Sequence, residues 1–133
     1  MIVIVCIDDN NGMMFNNRRQ SQDAILREDI LALARDGQLR MNAYSKKQFP
    51  GESPVRIQAD FLEKAEPGDF CFVEDRDIGP YEDRIEKLIL YRWNRKYPAD
   101  TFFTLDLREW RLEESVEFAG SSHEKITREI YVR

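Results

Sequence analysis

The chain has 133 residues, of which 42% are hydrophobic and 34% are charged, and its formal net charge is −5. This length suits one domain, and the acidic balance argues against a dedicated nucleic-acid-binding protein, whose affinity would depend on basic clusters. No apolar run approaches the roughly 18 residues of a membrane span, and the start lacks the basic region of a signal peptide. The composition therefore predicts a globular, cytoplasmic domain with no membrane partner.

The first strand is predicted over residues 1–7, which are almost entirely apolar. The Asp and Asn residues from Asp8 onward and the glycine at Gly12 favour a turn that ends this strand. Cys6 lies in the strand, and Cys71 lies in a later strand-like run. Two separated cysteines in apolar strands are typical of reduced core residues, and a structural zinc site would need about four clustered ligands. We therefore expect no metal site.

A first helix is predicted from an N-cap at Ser21 to about Arg35, with Gly37 in the C′ position. Apolar residues recur on one face with the spacing of a helix that packs on a core, namely Leu26, Ile30, Leu33 and Ala34. At roughly 100° per residue, Asp23 and Asp29 lie on either side of this apolar stripe. Both are candidate carboxylates for chemistry, although acids beside an apolar face are more often solvated residues at the edge of a core.

The middle of the chain alternates short strands with short helices. We predict strands over residues 38–42 and 55–58 and helical segments over residues 44–49 and 59–65. A loop containing Pro and Gly separates the first helical segment from the second strand.

The second half of the chain contains the clearest pattern of parallel strands. Short apolar runs at residues 70–73 and 88–90 are bounded by charged residues, as buried parallel strands are. The segment 75–86 between them has about the dozen residues that a crossover needs. Gly79-Pro80 suits the first turn of a helix in that crossover.

A longer motif covers the last third of the chain. It runs from one strand through an Asp-Thr-Phe-Phe sequence to a Trp-x-Leu strand and a last strand that contains tyrosine. The matching residues are Leu88, Leu90, Asp100, Thr101, Phe102, Phe103, Trp110, Leu112 and Tyr131. This motif resembles the C-terminal part of dihydrofolate reductases, and Ile7, Asp8 and Gly12 resemble the turn after the first strand of that family.

The resemblance implies an α/β fold, a single-domain dihydrofolate-reductase-like three-layer sandwich over residues 1–133. Its central sheet would be mostly parallel with an antiparallel C-terminal hairpin, and helices would cover both faces. Relative to the family, the region around residues 50–58 is shortened.

The resemblance also implies a catalytic acid and a substrate cleft. The sequence LREDILAL resembles the helix that carries the family's catalytic carboxylate, which matches Asp29, whereas counting from Gly12 favours Asp23. Both acids stay candidates. Tyr91 stands where the family has a threonine that contacts the acid and the pterin. The predicted cleft residues are Tyr91, Met14, Phe15 and Ile30.

The positions that would bind the family's cofactor are changed. Asp75 and Arg76 replace two glycines, Ala43 replaces an arginine, and Ser45 can stand in for a threonine. A side chain at a glycine position blocks the close approach of backbone to a diphosphate, and Asp75 adds a repelling negative charge. The loop over residues 13–20 also lacks the Pro-Trp pair with which the family closes its site.

These losses predict a dihydrofolate-reductase-like domain with degraded NADPH and folate motifs. It would be a ligand-binding or accessory protein without folate reductase activity and without a bound cofactor. One alternative is an oxidoreductase of the dihydrofolate reductase type, which would use NADPH, another reduced nicotinamide or a flavin on a pterin-like or other heterocyclic substrate. A small-molecule ligand and a homodimer are both compatible with the sequence.

A second alternative is a nucleic-acid-processing or interaction protein that uses Arg92, Arg95, Lys96 and an exposed Trp93. The net charge makes nucleic acid the weakest choice of partner. His123 is the one histidine of the chain. It is expected in the turn between the last two strands, and no spacing implies a Ser-His-Asp arrangement.

Overall fold

The computed structural model describes residues 1–51 and 53–133. The strands are β1 Ile2–Ile7, β2 Gly12–Phe15, β3 Arg18–Arg19, β4 Leu39–Met41, β5 Val55–Ile57, β6 Phe70–Phe72, β7 Lys87–Arg92, β8 Thr101–Phe102, β9 Arg111–Phe118 and β10 Ile126–Val132. The α-helices are α1 Ala24–Leu33, α2 Ala43–Lys46 and α3 Phe61–Lys64, and 3₁₀ helices span Gly79–Arg84 and Leu107–Glu109.

The main sheet has seven strands within the described residues, in the order β5-β4-β6-β1-β7-β10-β9. Strands β5, β4, β6, β1 and β7 are parallel, whereas β10 is antiparallel to β7 and β9 is antiparallel to β10. In the central strand β1, Val3 pairs with Cys71 on one side and with Leu88 on the other. The predicted mostly parallel sheet with an antiparallel C-terminal hairpin is confirmed.

Both faces of the parallel part of the sheet are covered, which is why β1 is apolar at nearly every position. Successive residues of a strand point to opposite faces. Val3 therefore packs in one core cluster with Phe61 and Leu62 of α3. Ile4 packs in the other cluster with Ile30 of α1. The result is the three-layer arrangement that the sequence predicts.

A smaller sheet, β3-β2-β8, lies beside the main one and is tied to it through the turn after β1. The Asp8 carboxylate accepts hydrogen bonds from the N–H of Gly12 at 2.7 Å and from the N–H of Tyr97 at 3.0 Å. Burial would raise the pKa of Asp8, but the hydrogen bonds outweigh it and lower that pKa. A Cβ at Gly12 would lie 2.5 Å from the Ala99 Cβ, so only glycine fits this close approach.

The ends of α1 differ from the prediction. The N-cap is Asp23 and not Ser21, because the Asp23 carboxylate accepts hydrogen bonds from two N–H groups of the first turn. At the other end Ala34 is the C-cap, and Gly37 does not have the positive φ of a C′ glycine. Gly37 is instead a close-packing position, since a Cβ there would lie 2.9 Å from the Phe70 ring.

Trp93 was expected on the surface and is buried instead, with 4% of its area exposed. Its ring stacks on His123 at a centroid distance of 4.5 Å. The neighbouring Arg92 forms an ion pair with Glu129. The basic, aromatic surface invoked for the nucleic-acid alternative therefore lacks its aromatic residue.

Candidate functional site

In open sheets of parallel strands, ligands bind in the crevice beyond the carboxyl ends of the strands. Here an ion pair between Arg19 and Glu74 lies just beyond the carboxyl ends of β4 and β6, with Nε and Oε2 3.0 Å apart. The Arg19 guanidinium lies over the Tyr44 ring at 4.4 Å and donates to the Tyr44 carbonyl at 3.1 Å. Glu74 is buried. The protein's own side chains thus occupy this part of the crevice.

Ser45, which was predicted to contact a cofactor, is part of this cluster. Its side chain is buried, and its Oγ donates to Glu74 Oε1 at 2.8 Å. Its backbone N–H donates to the side-chain oxygen of Asn42, the N-cap of α2, at 2.9 Å. The Ser45 hydroxyl therefore already donates a hydrogen bond to a carboxylate of the same chain.

Asp75 and Arg76 pair with each other. Arg76 Nε donates to Asp75 Oδ1 at 2.9 Å, and Arg76 Nη2 donates to Asp75 Oδ2 at 3.1 Å. Asn42 Nδ2 also donates to Asp75 Oδ2 at 3.1 Å, and the Arg76 guanidinium lies over the Phe61 ring. Both side chains are thus held against the segment where the family resemblance places a bare backbone.

Of the two candidate acids, Asp29 is the one that lies against Tyr91. The Tyr91 hydroxyl donates to Asp29 Oδ2 at 2.6 Å, and Arg128 Nη1 donates to the two Asp29 oxygens at 2.9 and 2.8 Å. Tyr91 is fully buried, and burial first, then the Asp29 carboxylate, raise the pKa of its phenol. A catalytic role for Asp29 stays a prediction.

A groove of about 370 Å³ opens beside Asp29, between α1 and β9. It is lined by Ile25, Glu28, Asp29, Ala32, Val116 and Phe118. Its walls are mainly apolar, and its acids, Glu28 and Asp29, lie on α1.

The four predicted cleft residues do not share one opening. Tyr91, Met14 and Ile30 belong to the buried core. Phe15 is 46% exposed and lines a separate pocket of about 300 Å³. Tyr97 and Pro98 also line this pocket. The place where the resemblance predicts the cleft is accordingly packed with side chains at Tyr91, and a groove opens beside Asp29.

Asp23, the other candidate acid, lies in a different place, in a cluster with the turn between β9 and β10. Its side chain is completely buried, and its Oδ2 lies 3.1 Å from His123 Nδ1. The backbone N–H groups of Ser121 and Ser122 donate to its two oxygens at 3.0 and 2.9 Å. Burial would raise the pKa of Asp23, but these hydrogen bonds outweigh it and hold that pKa well below its usual range.

His123 lies in the turn between β9 and β10, as the sequence predicts, but its side chain is buried. Its Nε2 lies 3.0 Å from Ser21 Oγ and 3.1 Å from the Tyr97 hydroxyl. Asp23, His123 and Ser21 thus follow one another at hydrogen-bond distance. His123 is about a hundred residues from Ser21 and Asp23 in the chain, so no local spacing in the sequence could have indicated this contact.

Within residues 1–51 and 53–133, no three His, Cys, Asp or Glu residues cluster closely enough to hold a metal ion. In the same residues, no helix combines the length and the apolar character needed to cross a membrane. Cys6 and Cys71 are both free thiols, as expected.

The strand order, the parallel crossovers and the C-terminal hairpin define the dihydrofolate reductase fold. In particular, the chain is similar to the dihydrofolate reductase from Enterococcus faecalis in complex with NADP(H) and RAB-propyl, with a TM-score of 0.67 and 13% sequence identity. The match covers 99% of this chain and 95% of that chain. No protein-family model and no curated protein sequence matches. At this identity the likeness shows the fold, and function has to be argued from the side chains.

Proposed function

We propose that this dihydrofolate-reductase-like domain does not reduce folates with NADPH and acts as a ligand-binding or accessory protein. The observation that carries the proposal is the Arg19–Glu74 ion pair beside the Asp75–Arg76 pair at the carboxyl ends of β4 and β6. This is where the resemblance places the glycines that would approach a cofactor diphosphate.

The argument is electrostatic as well as steric. A diphosphate in this crevice would lie against Glu74 and Asp75, and two like unit charges about 4 Å apart repel by roughly 4 kcal/mol at an effective dielectric of 20. Arg19 and Arg76 could offset this repulsion only by leaving the carboxylates that they now neutralise. Either choice leaves one anion without its counter-charge, which disfavours binding.

Titration with NADPH tests the proposal directly. We expect no saturable quenching of tryptophan fluorescence at micromolar NADPH. With dihydrofolate added, the absorbance at 340 nm should fall no faster than in buffer, because the diphosphate has no unoccupied cradle. Dihydrofolate reductase itself is the positive control.

Saturable binding with NADPH oxidation would overturn the proposal in favour of the oxidoreductase alternative. In that case the Asp29→Asn variant decides the mechanism. A general acid at Asp29 requires that this variant lose turnover while it still binds NADPH.

The open groove beside Asp29 supports a small-molecule ligand of a particular chemistry. Its apolar walls come from Ile25, Val116 and Phe118, and its acids are Glu28 and Asp29. The groove has the volume of a small-molecule site. One arginine, Arg128, contacts Asp29 and Glu114, so acids outnumber bases around the groove. We propose that the ligand has an apolar, ring-sized body and a cationic group.

Benzamidine and benzoate form a matched pair of probes, because they share a ring and differ in the sign of their charge. We expect millimolar benzamidine to raise the melting temperature and benzoate to leave it unchanged, since only the cation gains from Glu28. The Glu28→Gln variant should lose the shift. The Glu117→Gln variant should keep it, because alternation along β9 points Glu117 away from Val116 and Phe118. Equal shifts with both probes would refute a cationic ligand.

A further inference from the structure

We infer that Ser21, His123 and Asp23 form a hydrogen-bonded triad that makes Ser21 a nucleophile towards small, negatively charged esters. This inference goes beyond the proposed ligand-binding function, since it assigns a reaction to a place other than the groove beside Asp29. A Ser-His-Asp arrangement is recognised by geometry and by the role of each member, not by the order of the residues in the chain.

The carboxylate defines the protonation of the imidazole. Asp23 Oδ2 lies 3.1 Å from His123 Nδ1, and a carboxylate can only accept, so in the neutral imidazole the proton is on Nδ1. Nε2 is then an acceptor. Ser21 Oγ lies 3.0 Å from that nitrogen, within the distance at which a general base takes a proton.

The surroundings hold these groups in place. Besides His123, the Asp23 carboxylate accepts from the N–H groups of Ser121 and Ser122. The His123 ring is stacked on Trp93, with an angle of 27° between the rings. A Cβ on Gly120 would lie 2.3 Å from Asp23 Oδ2, so the turn that carries His123 approaches as closely as a glycine allows. Such fixed orientation is what a nucleophile and its base require.

A second hydroxyl competes for the same nitrogen. The Tyr97 hydroxyl lies 3.1 Å from His123 Nε2. Nε2 has one lone pair, which Ser21 and Tyr97 must share. Tyr97 is therefore a positioning residue, and removing its hydroxyl frees the Nε2 lone pair from this competitor of Ser21.

Tyr97, which contacts His123 of the triad, also lines an open pocket. The pocket of about 300 Å³ is lined by Tyr97, Pro98 and Phe15 and by the arginines Arg18 and Arg19. Gln20, the residue before Ser21, lines it as well. Arg19 is already paired with Glu74, so the Arg18 guanidinium beside the aromatic walls is the group that suits an apolar acyl group with a carboxylate or a similar anion.

The reaction consists of two balanced steps. In the first, Ser21 Oγ bonds to the ester carbonyl carbon while its proton passes to His123 Nε2, and the alcohol leaves with that proton as the C–O bond breaks. In the second, water attacks the acyl-serine, His123 accepts a proton from the water, and Ser21 Oγ takes it back as the acid leaves. No oxidant or metal is consumed.

A fluorophosphonate probe tests the nucleophile, because Ser21 Oγ would displace fluoride from phosphorus and give a stable adduct. We expect intact-protein mass spectrometry to show one adduct on the full chain, mapped to Ser21. The Ser21→Ala variant should show none, and the matched Ser115→Ala variant, with its serine on the exposed strand β9, should label like the parent. The His123→Gln variant should label about 100-fold more slowly, the usual size of a general-base contribution.

The Tyr97→Phe variant distinguishes a reactive triad from a hydrogen-bond network that only stabilises the fold. If Ser21 reacts through Nε2, losing the competing hydroxyl raises the rate of labelling, whereas a rate below that of the parent would count against the inference. Absence of an adduct on the folded parent protein, or equal labelling of the Ser21→Ala variant, would overturn the inference. Circular dichroism and the melting temperature of each variant confirm that it is folded, so a negative result cannot be assigned to unfolding.

Discussion

Replacing Asp23 by alanine is expected to lower the free energy of unfolding by about 3–5 kcal/mol. The carboxylate is completely buried, and it caps α1 and binds the turn that carries His123. Alanine would leave the partly buried N–H groups of Ser121 and Ser122 and of the first helical turn without their acceptor. Urea denaturation followed by far-UV circular dichroism measures the loss.

The matched control is Asp36→Ala, an exposed acid just beyond α1, which should change stability by less than about 0.5 kcal/mol. Asp23→Asn should fall between the two, because its amide oxygen can still cap the helix while its NH₂ group faces N–H donors. A loss for Asp23→Ala no larger than that of the control would mean that the cluster does not hold the helix to the turn.

The pH dependence follows from the lowered pKa of Asp23. Its charge stabilises the folded state fully above the unfolded pKa of about 4, and this contribution is lost as the pH falls through the lower pKa of the folded state. The stability difference between the parent protein and Asp23→Ala should therefore shrink below about pH 4. A difference that is constant down to pH 2 would mean that the charge of the carboxylate contributes nothing.

The sequence predicted the sheet and its covering helices because their signals are local. The apolar run of β1, the apolar stripe of Leu26 and Ile30 on α1 and the crossover length before β7 each depend on neighbouring residues. Periodicity of this kind reports which face of an element is buried. It therefore defined the layers and the parallel core with small errors at the helix ends. It missed the smaller sheet, because strands β2 and β3 lie almost entirely in the segment 13–20, which was expected to be a loop.

The candidate sites could not be predicted in the same way, because their contacts join distant positions. Ser21 meets His123 across 102 positions of the chain, and Arg19 meets Glu74 across 55. A lone histidine in a turn and an arginine on a polar loop both resemble solvated residues when only neighbours are considered. Their partners become visible only when the fold brings three separate segments together.

Two observations together support the proposal that this chain lacks the ligand cleft of the family it resembles. At the carboxyl ends of β4 and β6, the charged side chains of the Arg19–Glu74 ion pair fill part of the crevice. Beside α1, the aromatic ring of Tyr91 fills the position where the family resemblance implies a threonine. The first change opposes a diphosphate, and the second opposes a planar ring ligand in the same protein.

Restoring threonine at position 91 should show how much the ring stabilises the fold. Tyr91 is fully buried, packs edge-to-face on Phe118 with 6.5 Å between ring centroids, and donates to Asp29. Tyr91→Thr removes this ring and leaves a cavity, so we expect a loss of about 3–5 kcal/mol in the free energy of unfolding. Tyr91→Phe keeps the ring and loses one hydrogen bond, and because Arg128 still binds Asp29, it should cost about 1–2 kcal/mol.

The cavity itself can be tested by adding back the missing ring. p-Cresol has the shape of the tyrosine side chain, so it should raise the melting temperature of Tyr91→Thr and leave the parent protein and Tyr91→Phe unchanged. If Tyr91→Thr costs no more than Tyr91→Phe, or p-cresol stabilises all three proteins alike, then the ring does not fill a pocket. A selective rescue would instead establish that this chain keeps the shape of an aromatic ligand site and occupies it with its own residue.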